Sequence, residues 1–226
     1  MSQPIAVFDL DGTLVDTAPD LIASLNHAIG NAGLAPIDEA ALRAYSGHGG
    51  RALLARAFQL SGKHLTEAET ARLHAIFLEH YTESMPGGSS LFDGGLDALE
   101  GLSKAGFLLA VCTNKPEHLA LRLLDRLGHA PMFAAICGAD TFPFKKPDPR
   151  HLVMTIEKAG GDRTRAVMVG DTETDIHAAR AAGVPVVAVD FGYSARPVAE
   201  YEPSKVISHF AALTPALARR LIGENS

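Results

Sequence analysis

Cysteine, basic charge and long hydrophobic runs are all scarce in this sequence. Its two cysteines, Cys112 and Cys137, form no CxxC pair and have no histidine cluster beside them, so a zinc site is not expected. Each lies in an apolar run and is expected to be a packed thiol. No apolar run approaches the ~20 residues that span a bilayer, and no basic segment followed by a long apolar one opens the chain. We therefore expect a protein of the reducing cytoplasm without a membrane partner.

The charge balance is acidic. The formal net charge is −6, so no basic stripe is available to neutralise the phosphates of a nucleic acid or an acidic membrane surface. Hydrophobic residues make up 47% of the 226 residues, enough to bury a core in one domain with an insertion or in two small domains. We expect a globular protein, a monomer or homodimer, whose ligand is a small molecule and not a nucleic acid.

Residues 5–14, IAVFDLDGTL, run from four apolar residues directly into two aspartates. The apolar run predicts a strand covered on both faces, and Gly12 allows a sharp turn where that strand emerges. Because residues two apart in an extended chain point the same way, Asp9 and Asp11 are expected to face one pocket. Two carboxylates about 4 Å apart repel by roughly 4 kcal/mol at an effective dielectric of ~20, so the pair requires a cation or a shared proton. The alternative is a turn in which both aspartates accept local backbone hydrogen bonds.

Residues 17–85 contain helical patterns without a strand pattern. Thr66 followed by Glu69 is a capping box, which predicts a helix start, and Leu73, Phe77 and Tyr81 then fall on one helical face. The predicted helices cover residues 19–32, 38–45, 51–60 and 66–84. We expect a small all-helical domain over residues 17–85, followed by a flexible connection at residues 86–90.

Beyond that connection, short apolar runs alternate with helical patterns. The apolar runs cover residues 107–112, 133–137, 166–169 and 184–189, and the helices cover residues 96–105, 117–127, 149–159 and 173–182. A glycine follows each of these helices at Gly106, Gly128, Gly160 and Gly183, where a left-handed cap is expected. A short strand at residues 205–207 and a closing helix are expected near the end. The alternation predicts right-handed βαβ crossovers, and hence an α/β core with a parallel sheet over residues 1–16 and 86–226.

Polar residues recur at the carboxyl ends of the predicted strands, where parallel sheets bind ligands. These residues are Asp9, Asp11, Thr113, Asn114, Asp171 and Asp175. Lys145 and Lys146 lie in the loop before the third core helix. Taken singly, each residue has an ordinary structural explanation, such as a turn, a helix cap or a solvated charge. Together, four carboxylates in one crevice require a divalent cation and an ammonium group, and oxygen donors without a His or Cys cluster favour magnesium.

Four short segments resemble, in order, the motifs of the haloacid dehalogenase superfamily. They are DLDGTL at residues 9–14, Thr113-Asn114, Lys146-Pro147 and GDTETD at residues 170–175. The resemblance covers nearly the whole chain and is greatest to the phosphoglycolate phosphatase branch. It implies a Rossmann-like, three-layer core with a mobile helical cap inserted after the first strand. It also implies a magnesium-dependent phosphatase that hydrolyses a small monoester, 2-phosphoglycolate, through an aspartyl-phosphate intermediate.

The resemblance also implies catalytic roles for individual residues. Asp9 is expected to be the nucleophile, and Asp11 to protonate the leaving alkoxide and then take a proton from water. Lys146 is expected to neutralise Asp9 and the phosphoryl group, with Lys145 as the weaker candidate.

Ligand contacts follow from the same resemblance. Thr113 and Asn114 are expected to hold the phosphoryl oxygens. Magnesium is expected to be bound by Asp9, by the main-chain carbonyl of Asp11 and by Asp171, with Asp175 acting from a second layer through water.

Substrate specificity is expected to come from the helical domain. Gly47, His48 and Arg51 form a glycine-rich turn leading into a helix, so backbone amides and the guanidinium group could meet a small anion. The alternative is that the glycines only join two helices and Arg51 is solvated.

Other functions of the same motifs remain open at this point. A pyrophosphatase, a sugar-phosphate phosphatase and a phosphomutase fit the core residues, whereas a dehalogenase has no use for the acid at Asp11. Outside enzymes, a phospho-accepting signalling domain has a similar acidic, Thr and Lys pattern, but the long helical insertion argues against it.

Overall fold

A computed structural model describes residues 3–224. The first strand, β1 (Ile5–Phe8), is buried over its whole length. Ala6 and Phe8 pack on one face of the sheet, and Ile5 and Val7 pack on the other. The apolar run is therefore covered on both faces, as predicted from the sequence.

After β1 the chain forms a helical segment bounded by two short strands. Its elements are β2 (Val15–Asp16), α1 (Ala18–Gly30), α2 (Glu39–Leu42), α3 (Gly50–Leu60), α4 (Glu67–Ser84) and β3 (Ser90–Leu91). Thr66 and Glu69 form the predicted capping box at the start of α4. Helix α1 packs against α3 and α4, and apolar side chains such as Leu25, Phe58 and Phe77 join a core that continues to the sheet.

Two local features of this segment differ from the sequence prediction. The helix expected over residues 38–45 is α-helical only to Leu42 and then tightens into a 3₁₀ turn, Arg43–His48, because the glycines nearby are poor helix formers. Residues 86–90 are not a loose connection. β2 and β3 pair as an antiparallel ribbon, and the Asp20 carboxylate accepts hydrogen bonds from the N–H groups of Gly88 and Ser89.

The rest of the chain alternates between helices and strands as predicted. The elements are α5 (Gly95–Lys104), β4 (Leu108–Cys112), α6 (Glu117–Arg126), β5 (Ala135–Cys137), α7 (Pro149–Lys158), β6 (Ala166–Gly170), α8 (Glu173–Ala182), β7 (Val186–Val189), β8 (Lys205–Ile207) and α9 (Pro215–Leu221). All four glycines predicted to cap core helices have positive φ. Residues 1, 2, 225 and 226 of the predicted core lie outside the described residues.

In the described part of the chain, the main sheet has six strands in the order β5-β4-β1-β6-β7-β8. All neighbouring strands are parallel. Helices α5, α6 and α9 cover the face of Phe8, and α7 and α8 cover the face of Val7, which gives an α/β core of three layers. The strand order reverses at β1, so the loops after β1, β4 and β6 meet at the place where such sheets bind ligands.

Between residues 3 and 224, no helix combines the length and the apolar character that crossing a bilayer requires.

Candidate active site

The turn after β1 brings its two aspartates next to the end of β6. The N–H of Asp9 donates to the carbonyl of Val169, which extends the pairing of the two strands. Gly12 has φ +82°, and a Cβ at this position would lie 2.5 Å from Asp171 Oδ2. Only glycine allows this close approach, so the sharp turn predicted from the sequence is confirmed.

Three carboxylates meet at this edge of the sheet. One oxygen each from Asp9, Asp171 and Asp175 lies within 4.8 Å of the others, and all three residues are buried. Burial raises the pKa of Asp9 to about 6, with Lys146 opposing the shift and Asp175 adding to it. Burial, Asp9 and Asp175 together raise the pKa of Asp171 well above its usual range. Burial and mutual repulsion therefore favour a bound proton or a bound cation at this cluster.

Lys146 lies between two of these three carboxylates. Its Nζ is 2.9 Å from Asp9 Oδ1 and 2.6 Å from Asp175 Oδ1, and its side chain is 1% exposed. Burial lowers the pKa of Lys146, but the two aspartates outweigh burial and raise it. The neighbouring Lys145 is exposed, so the structure brings Lys146 and not Lys145 against Asp9.

Asp175 has structural partners besides Lys146. Its Oδ2 accepts hydrogen bonds from the N–H and the hydroxyl of Thr172, which anchors the start of α8. Its carboxylate thus fixes the ammonium group of Lys146 relative to that helix.

Asp171 accepts hydrogen bonds from two residues whose contact with it was not predicted from the sequence. Thr13 Oγ1 donates to Asp171 Oδ1 at 2.7 Å, and the N–H of Tyr193 donates to Asp171 Oδ2 at 2.7 Å. A Cβ on Gly192 would lie 2.3 Å from Asp171 Cβ, so this loop passes close by the carboxylate. The sequence alone indicates only that Tyr193 follows the predicted strand over residues 184–189.

Asp11 faces a different ammonium group. Lys115 Nζ lies 3.1 Å and 3.2 Å from the two carboxylate oxygens of Asp11 and donates to Tyr81 Oη at 2.8 Å. Burial raises the pKa of Tyr81 to about 12. Burial lowers the pKa of Lys115, but Asp11 and Tyr81 outweigh burial and raise it. Lys115 is not among the site residues predicted from the sequence, although it directly follows Asn114.

Thr113 and Asn114 lie beside these groups after β4. The Thr113 hydroxyl accepts a hydrogen bond from the N–H of Lys115, and the Asn114 side-chain amide donates to the carbonyl of Lys146 at 3.0 Å. Asn114 therefore also holds the loop that carries Lys146.

A cavity of about 510 Å³ opens over the cluster, between the sheet edge and the helical segment. The residues predicted from the sequence that line it are Asp9, Asp11, Gly47, His48, Arg51, Thr113, Asn114, Lys145 and Lys146. Arg51 lies at the cavity wall with a side chain that is 55% exposed, and it forms an ion pair of 2.8 Å with Glu67. The structure thus places the glycine-rich turn over the acidic residues but pairs its arginine with a glutamate.

Comparisons with known proteins agree with this geometry. The family model for haloacid dehalogenase-like hydrolases matches residues 6–189. The phosphoglycolate phosphatase of Mesorhizobium japonicum is 57% identical over 98% of both chains, and that of Agrobacterium fabrum is 52% identical over 99% of this chain and 96% of its own. The crystal structure of a "predicted phosphoglycolate phosphatase" from Haemophilus somnus superposes with a TM-score of 0.86 at 32% identity, covering 94% of this chain and 97% of the other.

Proposed function

The chain belongs to the haloacid dehalogenase-like hydrolase family and is a phosphatase, and we propose that its substrate is 2-phosphoglycolate, hydrolysed to glycolate and phosphate. The observation that supports this best is that Asp9 and Lys146 line one cavity, while Asp171 and Asp175 lie buried directly behind Asp9 without lining it. The relatives named above support the choice of substrate, because they match this chain over nearly its full length.

In this proposal Asp9 is the nucleophile. Its carboxylate attacks phosphorus, a bond forms between the Asp9 oxygen and phosphorus, and the bond from phosphorus to the alkoxide breaks. Water then hydrolyses the aspartyl phosphate. Lys146, 2.9 Å from Asp9, offsets the negative charge that collects on the phosphoryl oxygens, and Thr113 and Asn114 bind those oxygens.

Asp11 carries the proton in both steps. It donates a proton to the leaving alkoxide and then accepts one from the attacking water. Because Asp11 lies two residues beyond Asp9 on the same turn and is held by Lys115, it can reach the leaving oxygen while Asp9 reaches phosphorus.

The residues of the site fit a divalent cation. Asp9, Asp171 and Asp175 bring three buried carboxyl groups around the single ammonium group of Lys146, so two negative charges are left over when all three are ionised. Carboxylate oxygens are ligands that magnesium prefers. We propose that Asp9, Asp171 and the main-chain carbonyl of Asp11 hold Mg²⁺, with Asp175 contributing through water. When bound, the ion would supply positive charge to the phosphoryl oxygens.

We further propose that residues 17–85 act as a cap domain over a core of residues 1–16 and 86–226. The cavity lies between these two parts and has apolar walls from the helical side, including Phe77 and Leu78. Such walls keep bulk water from the reacting groups, which strengthens the electrostatic interactions inside. Gly47, His48 and Arg51 contribute the part of the wall that faces the organic group of the substrate, which is the part that differs between phosphate esters.

A substrate panel tests the proposal. Purified protein with millimolar magnesium is assayed for phosphate release from 2-phosphoglycolate, pyrophosphate, ethyl phosphate and several hexose phosphates. We expect the highest kcat/KM for 2-phosphoglycolate. A higher value for pyrophosphate or a hexose phosphate would contradict the proposed substrate, and conversion of one hexose phosphate isomer into another would indicate a phosphomutase.

A further inference from the structure

We propose that Lys115 binds a carboxylate of the substrate, one methylene away from the ester oxygen, and thereby selects 2-phosphoglycolate over uncharged alkyl phosphates. This inference rests on the proposed function and deepens it. It gives Lys115 a task that differs from those of Lys146 and Arg51.

The ammonium group of Lys115 lies between the sheet edge and the helical segment. Its side chain is 4% exposed, and its Nζ contacts both carboxylate oxygens of Asp11. On the other side it donates to Tyr81 Oη of α4 and lies 4.5 Å from the centre of the Tyr81 ring. The Lys115 ammonium group thus connects the loop after β4 to helix α4.

The position of Asp11 determines where the leaving group lies. A carboxyl group that protonates an ester oxygen must be within hydrogen-bond distance of that oxygen. In 2-phosphoglycolate a single methylene joins the ester oxygen to the carboxylate. When Asp11 contacts the ester oxygen, the carboxylate of the substrate therefore lies close to the other group that Asp11 contacts, the Lys115 ammonium group. Once one Asp11 oxygen turns to the ester oxygen, an ammonium N–H becomes available to the substrate.

The surroundings of Lys115 favour an anion over a neutral group. Phe77, Leu78 and Leu119 line the same cavity, so the screening by water is weak. A carboxylate that enters an apolar cavity loses hydration and needs a charged partner. An alkyl group at this place would gain nothing from the ammonium group.

The other cations of the cavity are less suited to this contact. Lys146 is held between Asp9 and Asp175 on the side of the attacking group, and Lys145 is exposed. Arg51 is half exposed and already paired with Glu67, and contacts of exposed charges contribute little. Lys115 combines burial with a position on the leaving-group side of Asp11.

The test compares two esters of nearly equal size, 2-phosphoglycolate and ethyl phosphate, in which a methyl group replaces the carboxylate. In Lys115→Met, we expect kcat/KM for 2-phosphoglycolate to fall about 100-fold more than kcat/KM for ethyl phosphate, because the ion pair between Lys115 and the carboxylate of the substrate is lost only with the former. Lys115→Arg, which keeps the charge, is expected to retain most of the preference. Lys104→Met, an exposed lysine paired with Glu100, is the matched control and should leave both values unchanged.

The outcomes separate this inference from the proposed function. An equal loss for both esters in Lys115→Met would mean that Lys115 only positions Asp11, and would overturn the inference while the proposed function stands. A wild-type protein that does not prefer 2-phosphoglycolate to ethyl phosphate would overturn the proposed substrate itself. Should Lys115→Met not fold, Lys115→Gln, which keeps a hydrogen-bond donor without the charge, is measured by the same ratio.

Discussion

The Tyr193 hydroxyl donates a hydrogen bond of 2.8 Å to Asp16 Oδ1 and accepts one of 2.7 Å from the N–H of Ala18. Because the main-chain N–H of the same tyrosine holds Asp171, one residue connects the acidic cluster to the start of the helical segment. In Tyr193→Phe we expect a loss of about 1–3 kcal/mol in the free energy of unfolding, since the buried N–H of Ala18 loses its acceptor. Urea unfolding measures this loss. Magnesium affinity, measured by calorimetry, should stay the same because the contact with Asp171 is made by the main chain.

The half-buried Tyr201 provides the control for this substitution. Tyr201→Phe should change the unfolding free energy by less than about 0.5 kcal/mol, as is usual for residues away from buried networks. Equal effects of the two substitutions would show that the Tyr193 hydroxyl has no special role in joining the two parts.

Replacing Asp9 by asparagine should leave less than a few per cent of the magnesium-dependent activity, because an amide cannot form the acyl phosphate. The folded protein should persist, since a desolvated carboxylate is exchanged for a neutral group of the same shape. Phosphate release and circular dichroism measure the two effects. Substantial residual activity in a folded variant would rule out Asp9 as the nucleophile.

The pH dependence of stability should also reveal Asp9. Its pKa is about 6 in the folded protein, against an ordinary value of 3.8 for an aspartate, so the folded form holds its proton at a higher pH than the unfolded form. Ionisation therefore destabilises the wild-type protein progressively as pH rises from about 4 to about 6, and the cost is constant above that range.

Comparison with Asp9→Asn measures the effect of removing this carboxyl group, including its effect on the pKa of Asp171. In the presence of a chelator, the unfolding free energy of the variant minus that of the wild type should grow between pH 4 and pH 6 and then level off. Millimolar magnesium should reduce this difference above pH 6. A difference that does not vary with pH would mean that burial does not raise the pKa of Asp9.

The role of Asp11 can be tested by the choice of leaving group. In Asp11→Asn, turnover of alkyl phosphates should fall by a factor of about 100 or more, because alkoxides need a proton to leave. p-Nitrophenolate leaves without one, so p-nitrophenyl phosphate should still give a rapid first turnover followed by slow hydrolysis of the intermediate. Stopped-flow absorbance measures this burst, and an unchanged rate with alkyl phosphates would contradict the proposed role.

Arg51 is expected to have a smaller effect than Lys115. Because its side chain is 55% exposed and paired with Glu67, Arg51→Ala should raise KM for 2-phosphoglycolate by at most about tenfold and leave KM for p-nitrophenyl phosphate unchanged. Steady-state kinetics with both substrates measures the two constants. Equal changes in KM would show that Arg51 does not contact the substrate.

The sequence predicted the core because its signals are local. Apolar runs ending in polar residues marked β1, β4 and β6, and the strand-end rule for parallel sheets then brought Asp9, Thr113 and Asp171 to one edge. The choice of Lys146 over Lys145 needed the family resemblance, and the structure shows its physical reason in the pair of aspartates that the buried ammonium group contacts.

What the sequence did not predict depends on contacts between distant segments. Lys115 and Tyr81 are 34 positions apart, and no pattern shows that a loop after a strand meets the face of α4. Tyr193 reaches Asp16 across 177 positions. The strands β2 and β3 have two residues each, too few for any periodicity to indicate them.

The chain leaves the sheet for helices α1–α4 through β2 and returns from them through β3. These two strands pair side by side as an antiparallel ribbon. If the proposed cap domain moves relative to the core while this ribbon stays paired, we expect the motion to be a rotation about the ribbon and not a translation along the sheet. Since Tyr193 is hydrogen-bonded to Asp16 on this ribbon and to Asp171 in the cluster, the ribbon and the acidic cluster are held by the same residue. A swing that opens the cavity would separate Tyr81 from Lys115 while Lys115 stays with Asp11.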